Sequence, residues 1–245
     1  MAIVSVVGLA ASVTSVLIAT AAFDQGAAAV AAKLRIVSYE ATSLDKIPMK
    51  MSEGEEDPAL DTSISAAAVE VTVENPHDRP ALITRVDVEI RAVYAVRACG
   101  GGGPLSAAAK FDILIPADRN VAGQVFGQDK MVEVEGKRKD RFAVSVGPER
   151  LAGSDLVQIY HVDLLLRLQS GETVRADDIM LVPPGSAADD DRVVATLGTT
   201  HTGFNGSPEC LRGARDMVDA AVATKAAKQS PRLAALYAKL HAVGY

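Results

Sequence analysis

The residues in this chain whose types most often do chemistry are four histidines, His77, His161, His201 and His241, and two cysteines, Cys99 and Cys210. None falls in HxH, HExxH or a Cys-x-x-Cys partner set, the spacings that bring zinc ligands together. His161 stands two residues before Asp163 in an alternating stretch, so both side chains face the same way. An acid–base or metal site there needs a third group from another strand; without one the two are a structural or surface pair. Asp189–Asp191 is a consecutive acidic run after a Pro-Pro-Gly, whereas calcium needs oxygens spaced around a turn; it reads as solvated linker. Cys99-Gly-Gly-Gly-Gly-Pro104 lacks the Lys-Ser/Thr of a phosphate loop and the spacing of a dinucleotide turn, and reads as a flexible hairpin loop. Asn205-Gly-Ser matches a glycosylation acceptor, with Pro208 just behind it.

One cluster carries a surface chemistry. GKRKDR places Lys137, Arg138, Lys139 and Arg141 within six residues. Beside an anionic leaflet each cation adds about 1 kcal/mol, so these four are candidate contacts to acidic lipid or phosphate. The alternative is a solvated hairpin tip. No nucleophile elbow, paired catalytic carboxylates or Cys–His signature is present, and no catalytic, cofactor-binding or metal residue is assigned. Cys99 and Cys210 form one bridge in an oxidising compartment or remain thiols in a reducing one.

Composition narrows the partners. The chain has 245 residues, enough for one core and appendages, and carries a net charge of −6, which argues against nucleic acid. Aromatics are 4% and Trp is absent, so stacking platforms for bases or sugars are scarce.

The elements that would position these residues begin with Ile3–Phe23, an uncharged run of membrane-spanning length. Its apolar residues fall on all sides of a helix, which favours lipid over a surface stripe. A signal peptide would want Lys or Arg ahead of it and has none, although Ala19-Thr20-Ala21 offers a cleavage-like site; a buried helix is the third reading. Lys33 and Arg35 follow the run, and the positive-inside rule then places the C-terminal bulk in the cytoplasm.

From residue 33 the period changes from helical to two. In KLRIVSYE, Leu34 and Ile36 share a face opposite Arg35, Val37 and Tyr39, and the acidic stretch Lys46–Ser65 reads as an exposed loop. Val69, Val71 and Val73 alternate with Glu70, Thr72 and Glu74. Leu82, Val86, Val88, Ile90, Tyr94 and Val96 are expected on one face of the next strand, opposite Arg85, Asp87, Glu89 and Arg91. Strands are also predicted at KFDILIP, MVEVE, RFAVSV, LVQIYHVDLLLRLQ and TVRADDIMLV. About eight strands without intervening helices predict a mainly β fold, an antiparallel Ig-like β-sandwich. SPEC and SPRL then each place Ser, Pro and an apolar stripe as at a helix start. The expected organisation is a transmembrane helix and stalk over 1–32, the sandwich over 33–182, a linker over 183–206 and C-terminal helices over 207–245. The helices pack on the sandwich or bind a partner.

VEVTVENPHDRPALITRVDVEI resembles the domain of type 2 late-embryogenesis-abundant (water-stress) proteins, on Asn75, Pro76, Pro80, Ile83 and Val86 over about twenty residues. CGGGGP stands where that family has a glycine after the second strand. The resemblance implies a small Ig-like sandwich, often behind one N-terminal membrane helix, and a non-enzymatic habit; it brings no catalytic residue. Three functions follow as expectations. The first is a non-enzymatic membrane-anchored binding or scaffold module, reaching a protein partner through the sandwich or the C-terminal helices. The second is an exported envelope or stress-protective protein after signal cleavage. The third is a hydrolase-like enzyme built around His161 and Asp163.

Overall fold

The computed structural model describes residues 34–52, 60–97, 106–116, 121–149, 151–152, 156–183, 208–225 and 228–242. The apolar run Ile3–Phe23, the CGGGGP loop and the Asp189–Asp191 run lie outside the described residues. Among the described residues no helix is long and apolar enough to cross a membrane.

The strands are β1 (Arg35–Ser52), β2 (Leu60–Asn75), β3 (Ala81–Arg97), β4 (Ser106–Ala109), β5 (Ile113–Ile115), β6 (Val125–Val134), β7 (Arg138–Pro148), β8 (Leu151–Ala152), β9 (Leu156–Leu168), β10 (Thr173–Leu181) and β11 (Lys228–Gln229); the helices are α1 (Pro208–Ala223) and α2 (Pro231–Ala242). The first sheet runs β5-β7-β2-β1-β4-β8 and the second β11-β10-β9-β3-β6. The fold is mainly β, two packed sheets with C-terminal helices. Both sheets are mixed rather than antiparallel as expected, because β5 joins β7, and β11 joins β10, in parallel. Each parallel partner is only two or three residues long and arrives over a face of the sheet rather than through a hairpin, a connection that periodicity in the strands does not report.

The core between the sheets is formed by alternate residues. Val69, Val71, Val73, Val144 and Val146 meet Val86, Val88, Ile90, Val162, Leu164 and Leu166, and all are buried. The described flanks of the expected loop at Lys46–Ser65, 46–52 and 60–65, are instead the far part of a long hairpin, in which β1 and β2 pair from Arg35↔Glu74 to Met51↔Leu60. The acidic residues of MSEGEEDP, which make this stretch read as turn-like, fall within 53–59, which lie outside the described residues; main-chain pairing carries the flanks, Pro48–Met51 against Leu60–Ser63. Bulges also overturn two face assignments. A register shift at Ile36/Ser38 turns Tyr39 inward and leaves Val37 exposed. Shifts at Ile83/Arg85 and Ile90/Ala92 put Leu82, Tyr94 and Val96 on the face opposite Val86, Val88 and Ile90.

β4 and β5 pair on opposite sides of the first sheet, so Lys110–Asp112 crosses its outer face. Phe111 presses on Gly147, where any Cβ would overlap its ring. The Ser145 amide and hydroxyl donate to Asp112 Oδ2 at 2.8 and 2.7 Å, and Lys130 Nζ lies 3.4 Å from Oδ1. Burial pushes the Asp112 carboxyl up, but these donors outweigh it and hold it below its ordinary value.

The C-terminal helices dock on the outer face of the second sheet. Ala214, Val218 and Ala221 of α1, with Leu233, Leu236 and Leu240 of α2, bury Val96, Ile159, Met180 and Val182. Ser230 caps α2, its hydroxyl accepting from the Leu233 amide at 3.3 Å. Tyr237 is exposed and tilts against His241.

Candidate functional site

The helices cover only half of that outer face. The other half carries Arg85, Asp87, Glu89 and Arg91 from β3, Asp163 and Arg167 from β9, and Arg175 and Asp177 from β10. Strand register brings like charges together here: Arg85 pairs with Arg167 and Glu89 with Asp163. Directly opposed like charges destabilise a sheet, so each pair is bridged by a third charge. Asp87 accepts from Arg85 Nε at 2.6 Å and from Arg167 Nε. Arg85 also reaches Asp129 of β6 at 2.9 Å. Asp163 accepts from Arg91 and Arg175, and both arginines also face Glu89, at 3.4 and 3.1 Å.

Both hub carboxylates are buried, 1% exposed for Asp87 and 0% for Asp163. Gly127 makes room for the first, since a Cβ there would overlap the Asp87 carboxylate. The second is held by backbone as well: the Asp178 amide donates to Asp163 Oδ1 at 2.8 Å. Burial pushes the Asp163 carboxyl up, but the Asp178 amide, Arg175 and Arg91 together hold it below the ordinary carboxylate range. Asp163 in turn raises Arg175.

Asp178 is left-handed, with φ 57°, at a bulge of β10. The same bulge lets Asp177 O accept from the Tyr39 hydroxyl of the first sheet at 2.9 Å, a bond that ties the two sheets. Burial and Asp177 raise the Tyr39 hydroxyl, keeping it protonated as the donor. His161 hydrogen-bonds Asp178 Oδ1 at 3.1 Å rather than Asp163. The two residues singled out in the sequence thus share a face and meet at Asp178, His161 at its carboxylate and Asp163 at its amide, without bonding to each other. Among the described residues no three His, Cys, Asp or Glu side chains are grouped to hold a metal. The chemistry this surface supports is recognition or mechanical locking by arginine–carboxylate pairs.

The other singled-out residues are placed as follows. Lys137 sits at the β6–β7 turn with φ 56° and pairs with Asp78 at 2.5 Å, lowering that carboxyl. Arg138 pairs with Glu135 at 3.3 Å and Arg141 with Glu70; Lys139 has no ion pair among the described residues. Cys99 lies outside the described residues, and Cys210 stands in the first turn of α1. Sequence reasoning missed Arg91, Arg175 and Asp178 as a group. Their signal is the alternating charge of RVDVEIR and the double Asp of RADD, but only register shows that these segments flank β9.

No family model, curated protein or solved structure matches the chain.

Proposed function

We propose that the chain is a membrane-anchored, non-enzymatic β-sandwich module that binds or scaffolds a protein partner. The anchor in this reading is Ile3–Phe23, the sandwich is Ig-like in the manner of the water-stress domain, and the soluble part is cytoplasmic. The observation that carries it is the pairing of the charged face. The acids and arginines of the second sheet are committed to one another, with Asp87 and Asp163 buried beneath arginines, an arrangement that favours a fixed surface over a titrating one. Asn75 supports the resemblance at its own motif. It is buried and donates to Arg79 O at 2.7 Å and Val134 O at 3.0 Å, while the His77 amide donates to its side chain. It therefore closes the NPHDRP turn and ties that turn to β6.

The test is a pair of fusions at Tyr245, alkaline phosphatase in one and a fluorescent protein in the other, expressed in a bacterium with flotation of the membranes. Fluorescence without phosphatase activity in a floating fraction is expected. Phosphatase activity alone would overturn the cytoplasmic placement and favour the exported reading. A chain that does not float would overturn the anchor.

A further inference from the structure

We infer that the sandwich turns one end, built from the β2–β3 and β6–β7 turns, toward the phosphate layer of a lipid bilayer; this rests on the membrane-anchored reading above. The chain enters the fold at that end. Arg35 opens β1 opposite Glu74, and Asn75, the last residue of β2, pairs with Arg138. Leu34 is buried there, so the entry point is fixed to the domain. Ten residues separate Phe23 from Leu34; even fully extended they span at most about 35 Å. β3 alone, with 17 residues, is about 56 Å long at the usual rise per residue. An anchor at Ile3–Phe23 therefore holds this end nearest the bilayer and the helix-covered end away from it.

The two turns form one stiff surface. The Lys137 amide donates to His77 O at 2.7 Å, and Gly136 packs so closely on the Asp78 carbonyl that a Cβ would overlap it. The surface presents long cationic side chains. Arg79 and Lys139 are exposed without an acidic partner among the described residues. Lys137 and Arg138 are 68% and 72% exposed, and their partners Asp78 and Glu135 are as open. Such pairs hold weakly in water, and the cationic stems extend past the short carboxylate of Asp78. These cations can exchange a carboxylate for a headgroup phosphate without moving the backbone.

The chain has no Trp, so single reporters can be placed cleanly. His77→Trp and Glu135→Trp mark the near end, and Met217→Trp, on exposed α1, marks the far one. The full chain would be reconstituted in vesicles of phosphatidylcholine and phosphatidylserine that include a phosphatidylcholine with a nitroxide quencher on its headgroup. Quenching at the near-end reporters but not at Met217→Trp is expected. It should fall when Arg79→Glu and Lys139→Glu are combined with the reporter, and in high salt, while the protein still floats. Equal quenching at both ends, none at the near end in floating protein, or indifference to charge reversal would each overturn the inference and leave the anchor standing. Protein that does not float would overturn both.

Discussion

Replacing Asp163 with Asn tests whether the arginine–carboxylate face locks the second sheet. The side chain is fully buried, while Arg91 and Arg175 are 45% and 35% exposed. Removing one member of a buried ion pair costs about 3–5 kcal/mol when the other is stranded. Here both arginines keep access to water and Arg175 retains Asp177, so the expected loss is smaller, about 2 kcal/mol after screening. Asn still offers an acceptor to the Asp178 amide. Asp163→Ala does not, and should lose about 1–3 kcal/mol more for the buried donor left without a partner. Urea unfolding at neutral pH should therefore rank wild type, Asn and Ala in that order. Acid supplies an independent arm. The Asp163 carboxyl in the fold titrates below its ordinary value of 3.8, so the unfolded chain takes up the proton first as pH falls. The stability it contributes is present above that ordinary value and is lost as pH drops through the depressed one. The gap between wild type and Asn should be constant near neutrality and close in acid. An Asn variant as stable as wild type at neutral pH, or a gap unchanged in acid, would refute the locking role.

Tyr39→Phe removes the hydroxyl bridge to Asp177 and should cost about 1 kcal/mol in the same unfolding assay, with the core otherwise unchanged. Gly127→Ala drives a Cβ into the Asp87 carboxylate and to 2.7 Å from Val86 O; a loss of about 1–3 kcal/mol is expected, and combining it with Asp87→Asn should be less than additive because the two share one space. Leu233→Ala, in a fully buried position of the helical cap, should cost about 2–5 kcal/mol and raise binding of an apolar dye as Ile159 and Met180 are uncovered.

Alternation made much of the sandwich legible. Val69, Val71 and Val73 face the core as their spacing requires, and Ile113 and Ile115 join them around exposed Leu114. What alternation cannot carry is an extra residue. Periodicity read through RVDVEIRAVYAV places Ile90 and Val96 together, because a period of two holds only while pairing is regular. A bulge inserts one unpaired residue and flips every side chain beyond it. Nothing in the residue types at Arg91 announces this, since an Arg on a wet face and an Arg at a bulge look alike.

The bulges also explain why one sheet face is both a salt-bridged surface and a helix dock. β9 runs straight, and its two neighbours each carry an extra residue close to Val162: Arg91 in β3 and the Asp177–Asp178 pair in β10. On one side of that level, the outward positions of β3 and β10 are Arg85, Asp87, Glu89 and Arg175. On the other side they are Tyr94, Val96, Met180 and Val182, which meet α1 and α2. Without the two shifts, Met180 and Val182 would face the core and Ile179 and Leu181 the helices, so an apolar set would reach both faces in either register. It is the polar residues that fix the choice. Asp178 can adopt its left-handed backbone at modest cost for an Asp, and its amide and carboxylate are then both used, by Asp163 and His161. The pair singled out as candidate catalytic chemistry is thus accounted for by register. His161 and Asp163 grip the bulge at which the face changes from charged to apolar.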